Sequence, residues 1–116
     1  MIDERGFIKI IDFGISRKLG TWGEKSTTFC GTAEYIAPEV IQQTGYSFSA
    51  DIWSVGILMY EMRCGMTPFK HQNKNMQNDQ ICNWPVNWPS KTRNPRSDQF
   101  EQLVNSLLNK DKNERP

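Results

Sequence analysis

A chain of 116 residues is long enough for one small domain with a modest core. Its 37 % hydrophobic and 23 % charged content is that of a globular protein, and a net charge of +1 gives no basis for binding nucleic acid or an acidic membrane. No apolar run reaches the ~20 residues of a membrane helix, and Met1 to Arg5 lack the apolar core of a signal peptide. Three scattered cysteines, Cys30, Cys64 and Cys82, make neither a disulfide framework nor a zinc site, so a reducing, cytoplasmic setting is expected.

Asp3-Glu4-Arg5-Gly6 reads as a turn, since Asp supplies a side-chain acceptor and Gly a positive φ. Phe7 to Ile11 is rich in β-formers and broadly alternating, which predicts a short strand paired in a hairpin with Met1-Ile2. Asp12-Phe13-Gly14 breaks that strand, with Gly14 as the expected flexible point. Ser16 to Thr28 carries Arg17, Lys18 and Lys25, two glycines and several hydroxyls without an apolar period, so it is an exposed loop. Loops of that length without structure of their own are usually functional or mobile.

Pro38 suits a first helical turn, which predicts a short helix from Pro38 to Gln43. Ser49 or Asp51 can cap the next helix, which runs to Cys64-Gly65 through Trp53, Ile57, Leu58, Tyr60 and Met62. It is apolar nearly all round, so burial on most sides is expected, and Gly56 within it implies a close approach. A weak helix is read from Lys74 to Cys82, with a solvated loop as the alternative. Trp84 to Pro89 is an extended, Pro-stiffened connection whose indoles should pack on the domain. The last helix has Asp98 with Glu101 as a capping box, or Ser97 as the cap, and its Phe100, Leu103, Val104, Leu107 and Leu108 form one stripe.

Several residues carry candidate chemistry. Asp12, at the end of a strand beside a glycine, is a hard-oxygen ligand for Mg²⁺ or merely the start of a turn. Thr28, in a basic loop, is a phosphate acceptor or a surface threonine. Glu39 and Arg115 are a buried ion pair or, judged on separation alone, two solvated charges. Asp51 anchors a neighbouring loop, caps its helix, or does both. His71, the only histidine, and Cys30 read as ordinary surface and packing residues. The tryptophans, Trp53 among them, read as core.

The order and spacing of five segments is more specific than any one of them. Gly6 to Gly14, Thr28 to Glu39, Asp51-Ile52-Trp53-Ser54-Val55-Gly56, Thr67-Pro68-Phe69 and Glu114-Arg115-Pro116 resemble the eukaryotic protein kinase domain over essentially the whole chain, 1–116. The Thr-Phe-Cys-Gly-Thr turn and the Arg17 to Gly20 lead-in are most similar to the AGC serine/threonine kinases, and among them to the cyclic-nucleotide-dependent ones. The resemblance implies a mainly α fold. This is part of the kinase large lobe, with a short β hairpin, an activation loop and three to four helices around a buried central helix.

It further implies that Asp12 binds Mg²⁺, with Phe13 and Gly14 as the switch beside it. Thr28 would be the activation-loop phosphosite, with Arg17 as one phosphate partner. Phe29, Cys30, Gly31 and Thr32 would shape the substrate turn, and Thr32 would bond the catalytic aspartate. Glu39 would pair with Arg115, and Asp51 would anchor the catalytic loop. Partners would be a protein substrate or the remaining kinase segments; nothing indicates an oligomeric state.

Ala33 stands where this subgroup usually has Pro, which would loosen the substrate turn. The Gly-rich phosphate loop, strand lysine, helix glutamate and His-Arg-Asp loop are not among the 116 residues. Hence there is no catalytic base, ATP and Mg²⁺ binding by this stretch alone is doubtful, and the chain is expected to be inactive by itself. The expectation is a truncated serine/threonine kinase; the alternative is a non-catalytic decoy that keeps the substrate surface.

Overall fold

A computed structural model describes residues 1–16, 18, 32–91 and 95–116. The described residues form a 3-10 turn (Ala33–Tyr35) and four helices: α1 (Pro38–Ile41), α2 (Ser49–Cys64), α3 (Lys74–Asn83) and α4 (Asp98–Leu107). α2 packs against α4 and the 3-10 turn, and α1 packs against α3. The core lies among them, with Trp53, Ile57, Ile81 and Val104 fully buried beside Tyr60, Phe69 and Leu108. This mainly helical arrangement is consistent with part of a kinase large lobe.

The N-terminal hairpin is reduced to one antiparallel bridge, Ile2 to Ile8. Lys9 N donates to Met1 O at 2.8 Å and Asp3 N to Phe7 O at 2.9 Å. A lone pair of short strands with no covering element gains too little burial to extend further, and Phe7, Ile8 and Ile10 are exposed. Asp12, not Gly14, has positive φ (63°), a conformation that a short polar side chain tolerates.

α1 stops at Ile41, two residues before the predicted end, with Gln43 (φ 55°) and Gly45 (φ 78°) turning the chain away. Neither Ser49 nor Asp51 caps α2. Phe48 occupies the N-cap and both lie inside the first turn. The other end is as the sequence suggests, Gly65 closing the helix at φ 76° with its N–H on Glu61 O. α3 forms because Asn73 caps it, its side chain accepting from Asn75 N (2.9 Å) and Met76 N (3.2 Å). α4 is capped by Ser97, whose Oγ accepts from Phe100 N at 3.2 Å. Glu101 is then too far along to close a box and pairs instead with Arg96 Nε at 2.7 Å. Val104 and Leu107 are buried in α4, while Leu103 of the predicted stripe is exposed.

Of the two indoles between α3 and α4, only Trp88 packs inward. It lies 4.7 Å from the Tyr60 ring and under the Arg96 guanidinium, and its Nε1 donates to Asn105 Oδ1 at 3.1 Å. Trp84 stays half exposed and donates to Asp79. Lys110 closes the core from the C-terminal side. Its Nζ donates to Ile81 O at 2.7 Å and lies 4.1 Å from the Phe69 ring centre, and burial pushes its amine down to about 8.

α2 departs most from expectation. Trp53, Gly56, Ile57 and Tyr60 are buried, but Val55, Leu58 and Met62 face outward. Gly56 is where α2 meets the end of α4. A Cβ there would lie 2.8 Å from Leu108 Cδ2 and 2.9 Å from Leu107 Cβ. The leucine terminus can move, whereas Cβ of Leu107 moves only with its backbone. Alanine's better helix propensity, about 1 kcal/mol, therefore opposes an overpacking penalty of about 1–3 kcal/mol. Gly56→Ala is expected to be destabilising on balance, by about 1 kcal/mol, read as a lower urea midpoint at unchanged slope.

Candidate functional site

An open cleft of about 720 Å³ lies between the N-terminal segment, the 3-10 turn and the start of α2. Asp12 and Phe13 line it from the first, Thr32 and Tyr35 from the second, and Asp51 and Ser54 from α2. The elements hold these positions locally. Gly14 N donates to Asp12 Oδ1 at 3.2 Å, fixing the turn after the bridge. Thr32 accepts from Tyr35 N at 2.9 Å, starting the 3-10 turn. Ser54 Oγ, one turn into α2, donates to Tyr35 O at 3.1 Å and ties that turn to the helix. Asp51 is exposed, and its carboxylate has no hydrogen-bond partner among the described residues.

Behind the cleft sits a second group. Arg115 and Glu39 form a buried, two-pronged ion pair, Nη1 to Oε1 at 2.7 Å and Nη2 to Oε2 at 2.9 Å. Arg115 also donates to Ser49 O and Asn109 O, both at 2.8 Å, and its guanidinium lies 5.0 Å from the Trp53 ring centre. These bonds join α1, the start of α2 and the segment after α4, so the floor of the cleft is one unit. The structure thus gathers Asp12, Phe13, Thr32 and Asp51 at the cleft and places Glu39, Arg115 and Trp53 in its support. Arg17, Thr28, Phe29, Cys30 and Gly31 lie outside the described residues.

Sequence reasoning missed an acidic pair at the side of the cleft. Glu34 Oε2 accepts from the buried Thr67 hydroxyl at 2.8 Å, and Glu61 accepts from the Tyr35 hydroxyl. Both carboxylates are half-buried, and they span 33 and 26 residues, so no local pattern announces them. The Glu61 bond, then burial and the nearby negative charges, push the Tyr35 phenol from 10 up to about 12. A raised pKa means that the folded state holds this proton more tightly than the unfolded chain. The resulting stability is complete below pH 10 and is lost as pH rises toward 12. Burial likewise pushes the Tyr60 phenol up to about 12, so titration of phenolate absorbance should show two phenols ionising late, and Tyr35→Phe should remove one of them.

Among the described residues no group of three or more His, Cys, Asp and Glu side chains could hold a metal. Asp12 can present one carboxylate, and Mg²⁺ completes its shell with water and phosphate oxygens. No lysine or arginine is among the described residues that line the cleft to neutralise a polyphosphate. These residues therefore make part of a metal–nucleotide site and do not fit the whole of one.

A helical floor locked by a buried Glu–Arg pair, beneath a cleft with an Asp-Phe-Gly turn, defines a protein kinase type of large lobe. The protein kinase domain model matches residues 1–116, and the chain belongs to that family. It is 40 % identical over 115 residues to serine/threonine-protein kinase akt-1 of Caenorhabditis elegans, covering 99 % of this chain and 20 % of that protein. It is 41 % identical over 118 residues to human cGMP-dependent protein kinase 2, covering 99 % of this chain and 15 % of the relative. Against the Drosophila melanogaster cGMP-dependent protein kinase, isozyme 2 forms cD5/T2, identity is 54 % over 69 residues, 60 % of this chain and 7 % of that protein. These relatives place it with the AGC serine/threonine type. The chain spans a fifth or less of their length. The family uses ATP and Mg²⁺ and acts on proteins. No helix among the described residues is long and apolar enough to cross a membrane.

Proposed function

We propose that this chain carries the substrate-facing part of a cytoplasmic serine/threonine kinase that transfers phosphate from ATP to protein. Asp12 is the carboxylate that would hold Mg²⁺ against the nucleotide phosphates, with Phe13 and Gly14 beside it. Thr28 is the phosphate acceptor of the activation loop, and Arg17 one of its cationic partners. Phe29, Cys30, Gly31 and Thr32 form the turn beside the substrate hydroxyl, and Asp51 anchors the catalytic loop. The observation that carries this reading is the convergence of Asp12, Phe13, Thr32 and Asp51 on one cleft from three separate segments. Glu34 and Glu61 add negative charge at its side, which favours a basic peptide as substrate.

Phosphoryl transfer depends on positioning and charge stabilisation by a base, a second metal ligand and a phosphate cradle. The 116 residues hold none of these, so alone they transfer no phosphate. The test grafts residues 1–116 in place of the matching segment of human cGMP-dependent protein kinase 2. The graft should phosphorylate a basic peptide, and Asp12→Asn within it should abolish transfer. A graft that folds and binds nucleotide but stays silent would sink the reading. Metal-dependent transfer by the isolated chain, lost in Asp12→Asn, would overturn the statement that it is inactive alone. A second reading, a decoy that holds basic peptides without modifying them, is favoured by the same acidic pair. It would show as peptide binding that Glu34→Gln with Glu61→Gln removes.

A further inference from the structure

Two cations face one buried indole. Arg115 and Lys110 each lie 5.0 Å from the centre of the Trp53 ring, and Trp53 itself is fully buried. Their charges are met differently. Arg115 is held by both oxygens of Glu39. Lys110 is half-buried and has no carboxylate partner among the described residues. An ammonium carries three donors, and the acceptor that Lys110 Nζ finds is Ile81 O at 2.7 Å. Otherwise it meets aromatic rings, Phe69 at 4.1 Å and Trp53. Ile81 is fully buried in the last turn of α3, and Lys110 follows the end of α4. One amine thus joins the ends of two helices across a ring of α2.

The surroundings favour the uncharged amine. α2 and the segment before α3 offer the Trp53 and Phe69 rings, which attract a cation but do not replace its lost water. The segment that carries Lys110 also carries Arg115, a like charge over the same ring. From α1, Glu39 is taken up by Arg115, and Gln42 follows with a hydrogen bond to Cys82. α3 offers the Cys82 thiol, which holds the ammonium only once it is ionised, and burial pushes that thiol up. Burial, opposed by Cys82 and helped by Arg115, brings the Lys110 amine down from 10.5 to about 8. The neutral amine keeps an N–H for Ile81 O and has no charge to desolvate.

We propose that Lys110 is a proton-operated tie between the end of α3 and the core, weaker while its amine is charged and stronger once the proton has left. Below pH 8 the folded and unfolded chains both hold this proton, so stability there is independent of it. Between pH 8 and 10.5 the unfolded chain holds more of it, so stability rises with pH. Cys82 works against the rise from pH 9 upward, and the two late phenols from pH 10. The test is therefore made on a Cys82→Ala chain between pH 8 and 9. There the folding constant from urea unfolding should rise about fivefold. Lys110→Met, which keeps a long apolar stem without the charge, should remove that rise. With carbon-13-labelled lysine, the Cε resonance that Lys110→Arg removes should titrate near pH 8, well before those of the other lysines. The Ile81 carbonyl carbon should move with the same midpoint, which a lysine that merely packs would not cause. A rise that is missing, or that Lys110→Met retains, overturns the proposal. So does a Lys110 that titrates with the other lysines, or an Ile81 carbonyl that ignores its midpoint. If Lys110→Met does not fold, those two resonances decide the matter alone.

Discussion

Arg115→Ala should destabilise the folded chain by about 3–5 kcal/mol, because it leaves the Glu39 carboxylate buried without its partner. Arg115 is fully enclosed and Glu39 only 4 % exposed, so water cannot replace the lost bonds. The substitution also strips Ser49 O and Asn109 O of their donor and removes a cation from the Trp53 ring. Small domains are stable by about 5–15 kcal/mol in total, so the loss is a large share of what holds this fold. Urea unfolding followed by tryptophan fluorescence measures it. Glu39→Leu alone should be similarly damaging, for the opposite reason that it strands the guanidinium. The double variant Glu39→Leu with Arg115→Met should lose clearly less than the sum, since no buried charge remains. Salt should change the parent little, as a buried pair is weakly screened. An Arg115→Ala chain within about 1 kcal/mol of the parent would contradict the whole account of the pair.

The same pair marks a limit of what the sequence discloses. Glu39 and Arg115 are 76 residues apart, and from the residues alone two solvated charges is the better reading. Only the likeness of the surrounding segments to a known family brings them together. Local signals served well where the physics is local. The Pro38 start, the Gly65 stop and the period of α4 all follow from neighbours along the chain. They failed where a tertiary partner decides. α2 is apolar nearly all round, so its composition could not reveal which face α4 would cover. Asp12 adopts a left-handed backbone that nothing in the local sequence announces. The Tyr35–Glu61 and Thr67–Glu34 bonds join residues that no periodicity relates. The cleft was legible as separate motifs, and its acidic side was not legible at all.

Trp53→Ala and Trp53→Phe should have very different consequences, although both shrink the same buried side chain. The Trp53 ring is fully buried, stacked on Phe69 at 6.0 Å and 11°, with Arg115 and Lys110 each 5.0 Å from its centre. Alanine removes the ring against which α2, Phe69 and both cations are packed, and leaves a large cavity; the expected loss is about 3–5 kcal/mol. Phenylalanine keeps an aromatic face for the same neighbours. It also removes Nε1, which is buried with no hydrogen-bond partner among the described residues. An unmet buried donor costs about 1–3 kcal/mol, and the lost part of the indole is worth about 1–2 kcal/mol in apolar burial. The two terms nearly offset, so Trp53→Phe should lie within about 1 kcal/mol of the parent. Urea midpoints for the two variants, read from circular dichroism because the fluorophore changes, decide the matter. If Trp53→Phe proves as damaging as Trp53→Ala, then Nε1 has a partner, and a buried water is the group that could supply it.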